Sequence, residues 1–233
     1  MKKGDLRREQ ILDTAERLFF ERGYDRTSIQ DVLDALGISK GGFYHYFDAK
    51  ESVLWEICAR RWFSQFDRIR TELSDARRSP MDKLNLLLRQ ANLFETEDSH
   101  FAALVMKLCY RDGDVSIREA RRRVLLDSLA ERVDEAVGEG IADGSLHTRH
   151  PKAIGRLLLL LACDVNDETC AMLAADPDNP DRMIRVIELL NAYRESVELL
   201  AGAPYGAVEL FAPGSLLASW EAAMEEWKKL EEA

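Results

Sequence analysis

Apolar positions recur at helical spacing along nearly the whole chain. Ile11, Leu12, Ala15, Leu18 and Phe19 make the inner stripe of a first helix, predicted from Asp5 to Arg22 and ended by Gly23. Ile29, Val32, Leu33 and Leu36 mark a second, short one after Ser28. Ser39 caps a third, Lys40 to Tyr46, and Asp48 with Glu51 has capping-box spacing for a fourth that runs to about Ala76. That fourth stripe carries Val53, Leu54, Ile57, Cys58, Phe63 and Phe66. Ser79-Pro80 opens a fifth helix to about Phe94, and Ser99 a sixth that ends near Arg111-Asp112-Gly113. Ser116 and Glu119 box a seventh, apolar at Leu125, Leu129, Val133 and Val137 and expected to dissolve at Gly138, Gly140 and Gly144. Pro151 opens an eighth to Ala175 and Asn179-Pro180 a ninth to Ala201. Residues 202–214 read as a loop before a final amphipathic helix with Leu216, Trp220, Ala223, Met224, Trp227 and Leu230. The fold class is therefore all-α with about ten helices.

The segment 27–54 carries the most information. Two short capped helices flank Gly37, the residue suited to a positive φ. A helix, a tight turn and a second helix is the unit that places its second helix in the DNA major groove. Thr27, Ile29, Val32, Leu36-Gly37-Ile38-Ser39, Gly41, Phe43-Tyr44-His45-Tyr46-Phe47 and Lys50-Glu51 together resemble the N-terminal signature of the TetR family of bacterial transcriptional regulators. The resemblance is strong over residues 6–54 and architectural beyond them.

That resemblance implies a three-helix helix-turn-helix DNA-binding head, residues 1–50, and a ligand-binding and dimerisation body, residues 51–233. The seam is expected inside the fourth helix. The resemblance assigns DNA contacts to Thr27, Ser39, Lys40, Gly41, Tyr44, His45 and Lys50; Ser28 and Gly42 belong to the same candidate surface. It turns Tyr44 and His45 toward DNA and Phe43 and Phe47 inward. Gly42 departs from the small hydroxyl residue common in the family, which removes one side-chain base contact. Tyr46 reads equally as core or phosphate contact. Two consecutive glycines weaken a helix by about 1 kcal/mol each relative to Ala. Either the backbone approaches DNA closely there, or the turn is simply frayed. Lys2, Lys3, Arg7 and Arg8 form a basic arm, either solvated or on phosphate.

Charge alone does not suggest DNA. The 233-residue chain has a net charge of −10, and its first 52 residues hold nine basic and ten acidic side chains. Affinity must then come from a few placed contacts rather than a general positive field. No apolar leader follows Met1-Lys2-Lys3, so no signal peptide is expected. The longest apolar run, Leu157 to Cys163, is too short to span a bilayer. Four scattered cysteines in helical context suit a reducing cytoplasm.

The run Leu157 to Leu161 is apolar on every face, so a partner must bury one side of it. Homodimerisation is expected through the helices near 151–175 and 180–201, as the family resemblance also implies. Trp55, Cys58, Trp62, Phe66, Leu88, Phe94, Met106 and Tyr110 read either as plain core or as walls of an effector cavity. Asp164, Asn166, Asp167 and Glu168 read as a solvated face, or as groups pointing inward that select a neutral or cationic ligand. Trp62, Phe66, Met106, Tyr110 and Asp164 are the ligand candidates.

Catalytic and metal readings fare poorly. Glu97 and His100 give a single Glu-x-x-His where a di-iron bundle needs two. His147 and His150 lack a third ligand, and no phosphate loop or nucleophile elbow is found. Neither a cofactor nor a metal is expected. The reading is a non-enzymatic, ligand-responsive homodimeric repressor of a palindromic operator in double-stranded DNA, released by a small-molecule effector. An activator of the same fold, and a helical binding or enzymatic bundle, remain the alternatives.

Overall fold

The computed structural model describes residues 3–24, 26–95, 98–111, 113, 115–175, 181–211 and 215–232. Ten α-helices and no strand occur among these residues: α1 (Lys3–Arg22), α2 (Ile29–Leu36), α3 (Lys40–Tyr44), α4 (Lys50–Leu73), α5 (Pro80–Arg89), α6 (Ser99–Met106), α7 (Val115–Asp143), α8 (Ile154–Ala175), α9 (Asp181–Ala201) and α10 (Ser215–Glu232). A 3-10 turn, Leu93–Glu95, precedes α6, and a π-helical stretch, Lys107–Arg111, continues it. Helix α7 is the central post, packed against α4, α5 and α8; α9 lies on α8, and α10 lies on α6. Helix α1 packs on α2 and α4. One hydrophobic cluster runs unbroken from Ile11, Phe19, Phe43 and Phe47 to Leu125, Leu158 and Val197. The α1–α3 unit and the body therefore share a core through α4.

Several boundaries differ from expectation. Helix α3 ends at Tyr44 rather than Tyr46. Helix α4 begins at Lys50 and is not boxed by Asp48 and Glu51. Instead the Ala49 N–H donates to Ser52 Oγ at 3.2 Å, and the Ser52 hydroxyl donates to the Ala49 carbonyl at 2.7 Å. Asp98, not Ser99, caps α6, accepting from the Phe101 N–H at 2.9 Å. Helix α5 stops at Arg89, and α7 does not dissolve at Gly138 and Gly140 but runs through both to Asp143. Tertiary packing overrides glycine's weak helix propensity there: Gly140 is buried, and a Cβ would lie 2.5 Å from the Leu146 side chain. The expected openings at Asn179-Pro180 and the expected end at Asp112 lie outside the described residues. So do the side chains of Phe63, Phe94, Leu216 and Leu230.

The α7–α8 crossing depends on one glycine. The Gly155 N–H donates to Asp134 Oδ1 at 2.6 Å, and a Cβ on it would stand 2.5 Å from the Ala130 carbonyl oxygen. Backbone cannot rotate away as a side chain can. Gly155→Ala is expected to lose about 2 kcal/mol, the balance of about 3 kcal/mol of overpacking against about 1 kcal/mol of helix propensity. A denaturant titration showing equal or greater stability would refute the close contact.

Candidate functional site

The α2–turn–α3 unit is built by its caps. Ser28 Oγ accepts from the Asp31 N–H at 3.2 Å, and Asp31 accepts from the Ser28 N–H at 2.7 Å. The Ser28 hydroxyl and backbone N–H hold the Asp31 carboxyl below its usual range. Gly37 sits at φ 62°, and its N–H turns back to the Asp34 and Leu33 carbonyls. Ser39 Oγ then accepts from the Gly42 N–H at 3.2 Å and starts α3.

Helix α3 separates its residues by face. Phe43 and Phe47 are buried, at 1% and 3% exposure, whereas Tyr44 is 48% exposed and His45 is exposed beside it. Tyr44 is held edge-on to Phe43 (5.5 Å between centroids), and His45 edge-on to Tyr46 (4.8 Å). Tyr46 is half-buried. Ser28, Ser39, Lys40 and Gly41 are exposed, and Lys40 has no ion-pair partner among the described residues. A Cβ on Gly41 would meet nothing within 4 Å, and one on Gly42 would meet only Ser39 Oγ (3.5 Å) and Ile38 Cβ (4.0 Å), both ordinary contacts. Nothing inside the fold demands glycine at either position. The outer face of α3 is thus a low, nearly side-chain-free ledge rimmed by Lys40, Tyr44 and His45.

Two residues expected at this face are committed elsewhere. Thr27 is only 1% exposed; its hydroxyl reaches the Gly23 (2.9 Å) and Leu18 (3.2 Å) carbonyls and ties the end of α1 to the start of α2. Lys50 donates its ammonium to the Tyr24 (2.9 Å) and Thr27 (3.1 Å) carbonyls and lies 3.9 Å from the centre of the Tyr24 ring. Both are internal clamps, because the α1–α2 turn leaves carbonyls that need donors. Arg8 pairs with Glu56 and covers the Phe47 ring, so this part of the basic arm anchors α1 to α4. Lys2 and the Lys3 side chain lie outside the described residues. Thr27→Val is expected to lower stability by about 1–2 kcal/mol, the cost of unpairing buried carbonyls. DNA affinity per folded molecule should stay unchanged. A fluorescence-anisotropy titration that weakens with no change in melting would reverse that assignment.

In the body the ligand candidates scatter. The Trp62 side chain lies outside the described residues. Phe66 is half-buried on the core and Met106 is fully buried within it. The Tyr110 hydroxyl donates to Asp167 at 2.6 Å, and burial holds its proton well above the usual range. Asp164 does not point inward: its side chain is 63% exposed and pairs with Arg122. Helix α8 continues without interruption, so one turn puts Asp164 and Glu168 outside and Asn166 and Asp167 inside. The Asp167 carboxylate faces Arg121 at 3.7 Å and Arg118 at 3.8 Å. With both carboxylates paired to arginines, the acidic-pocket reading loses its basis as an argument for a neutral or cationic effector.

Sequence reasoning missed Arg121, which is 3% exposed and donates to the Ala91 carbonyl. Its spacing from Ile117 and Leu125, four residues either way on α7, was the available signal; the neighbouring arginines made it look solvated.

The α1–α6 seam holds an open cleft of about 690 Å³, lined by Phe20, Arg26, Arg61, His100, Leu104 and Lys107 among others. Arg61 spans this seam, bonded to Glu16 on α1 (2.6 Å) and to Asp98 at the start of α6 (2.9 Å). His100 pairs with Glu226 of α10 (3.1 Å), while Glu97 lies outside the described residues. Among the described residues there is no group of potential metal ligands, and no helix is long and apolar enough to cross a membrane. The four cysteines are free and buried; burial pushes the Cys58 and Cys170 thiols up to about 12, far from thiolate chemistry at neutral pH.

Residues 11–57 match the profile of the bacterial regulatory proteins of the tetR family. The chain is 31% identical over 143 residues to the HTH-type transcriptional repressor KstR2 of Mycolicibacterium smegmatis, covering 60% of this chain and 67% of that one. It is 51% identical over 51 residues to KstR2 of Rhodococcus jostii, but those cover only 22% of this chain and a quarter (25%) of that one. The structure resembles that of the transcriptional regulator FadR from Bacillus subtilis in complex with stearoyl-CoA, with a TM-score of 0.53, 21% identity, and coverage of 84% of this chain and 99% of that one.

Proposed function

Because this chain belongs to the TetR family of bacterial regulatory proteins, we propose that it is a homodimeric repressor of a palindromic operator, released by a small-molecule effector. Residues 1–50 act as the DNA-binding unit and residues 51–233 as the effector and dimerisation unit, in the cytoplasm. The observation that carries this reading is the exposed α3 ledge, with Tyr44 and His45 outside and Phe43 and Phe47 inside. Ser28, Ser39, Lys40, Gly41, Gly42, Tyr44 and His45 are its contact residues. The repressor names of the two relatives, and the acyl-CoA bound by the FadR of similar fold, support the functional reading.

Two recognition helices related by a two-fold axis read half-sites one helical turn apart. An effector that prefers the wider-spaced state lowers operator affinity by its differential binding free energy. The Glu16–Arg61–Asp98 bridge supplies a contact through which α6 can bias α1. The test is fluorescence anisotropy with the DNA upstream of the chain's own gene and a shuffled duplex, at two salt concentrations. Specific binding with a shallow salt slope is expected, given the near-neutral head. Equal affinity for both duplexes would end the proposal.

A further inference from the structure

We infer that the cleft at the α1–α6 seam is a binding site for a small amphipathic anion, an apolar body carrying one carboxylate. Its volume of about 690 Å³ is that of a small-molecule site, for which about 300–1,000 Å³ is usual. Phe20 and Arg26 reach it from the α1–α3 unit, and Arg61, Leu104 and Lys107 from the body. Phe20 is half-buried and stands edge-on to Phe101 of α6, with 5.4 Å between centroids. With Leu104 it supplies apolar surface for the body of a ligand. Lys107 begins the π-helical stretch that continues α6. Such stretches are rare and often mark functional sites.

Charge decides the polar end of the ligand. Three carboxylates border the cleft, and an arginine already holds each of them: Arg60 holds Asp13 at 2.6 Å, Arg61 holds Glu16 at 2.6 Å and Arg17 holds Glu21 at 2.9 Å. Arg26 differs. It is exposed and has no ion-pair partner among the described residues. Its Nε and Nη2 would each lie 3.4 Å from a Cβ added to Gly23, so the guanidinium lies over the end of α1. A cation entering the cleft would have to displace an arginine from a carboxylate. An anion would meet an unclaimed guanidinium, whose planar fork matches a carboxylate. Lys107 brings a second cation from the α6 side. None of Phe66, Met106, Tyr110 and Asp164 lines this cleft. An occupant would touch both sides of the seam that Arg61 bridges. Its binding does not depend on operator recognition; only its consequence, a bias on α1 and the helices behind it, rests on that reading.

4-Phenylbutyrate, 4-phenylbutanol and 4-phenylbutylamine share one apolar body and differ in the charge of the end group. They serve as probes on the full chain without DNA, titrated by saturation-transfer NMR. The butyrate is expected to bind about fivefold tighter than the alcohol, the scale of one exposed ion pair, and the amine most weakly. Arg26→Gln should erase that preference without changing the melting temperature, since the fold makes no ion pair with Arg26. Arg156→Gln removes an exposed arginine of α8 that lies outside the cleft and should leave the preference intact. Equal affinities in the natural chain, tighter binding of the amine, no binding of the butyrate, a preference that survives Arg26→Gln, or one lost equally in Arg156→Gln would each overturn the site. Because DNA takes no part, such a failure leaves the operator reading standing, and a failure of the operator reading leaves these affinities unchanged.

Discussion

Leu157→Glu combined with Ile187→Glu is expected to convert the protein into a folded monomer. Leu157, Ile184 and Ile187 are 42%, 57% and 47% exposed, whereas Leu158 and Leu159, on the same helix, are fully buried. The outer face of α8 and α9 thus presents aliphatic groups that the single chain cannot cover. Burying one such side chain contributes about 1.5–3 kcal/mol, and two-fold symmetry doubles each contact. Placing an unpaired carboxylate there reverses the sign. Light scattering after size exclusion should read one chain's 26.5 kDa, with the circular dichroism of the natural protein. A dimer mass unchanged by both substitutions would remove α8 and α9 from the interface. Leu158→Glu is the contrasting control. It puts a charge into the closed α7–α8 core and should abolish folding rather than pairing.

Tyr44→Ala is expected to weaken operator binding by roughly 1–3 kcal/mol, the range of one well-placed contact, with little change in melting temperature. The ring is half exposed and meets the buried Phe43 ring edge-on. Little packing is lost with it, so the effect should fall on DNA affinity. Phe43→Ala, one residue earlier, should do the reverse and cost about 3–5 kcal/mol of stability. A collapse of stability in Tyr44→Ala, with normal binding by the folded remainder, would place Tyr44 in the core and overturn the assigned face.

These two predictions differ in how much of each was legible in the chain. Local chemistry carried the head. Ser28, Gly37 and Ser39 act within four residues of themselves, so their caps and the positive φ follow from residue type and order. The helical phase that buries Phe43 and exposes Tyr44 is equally local. The all-round apolar run from Leu157 to Leu161 announced a helix that needs covering on both sides.

What sequence did not reveal is which residues meet across the chain. Thr27 and Lys50 carry the family's pattern, but the α1–α2 turn brings bare carbonyls to both and takes up their donors. Only the crossing of α7 and α8 at Gly155 decides that Leu158 faces inward and Leu157 outward. The same crossing puts Asp167 inside beside Arg121 and leaves Asp164 to Arg122 at the surface. Charge, helix propensity and capping act over a few residues and are written in order along the chain. Whether a carboxylate or a leucine faces core or water depends on the rotation of its helix against its neighbours, and that rotation is a property of the packed whole.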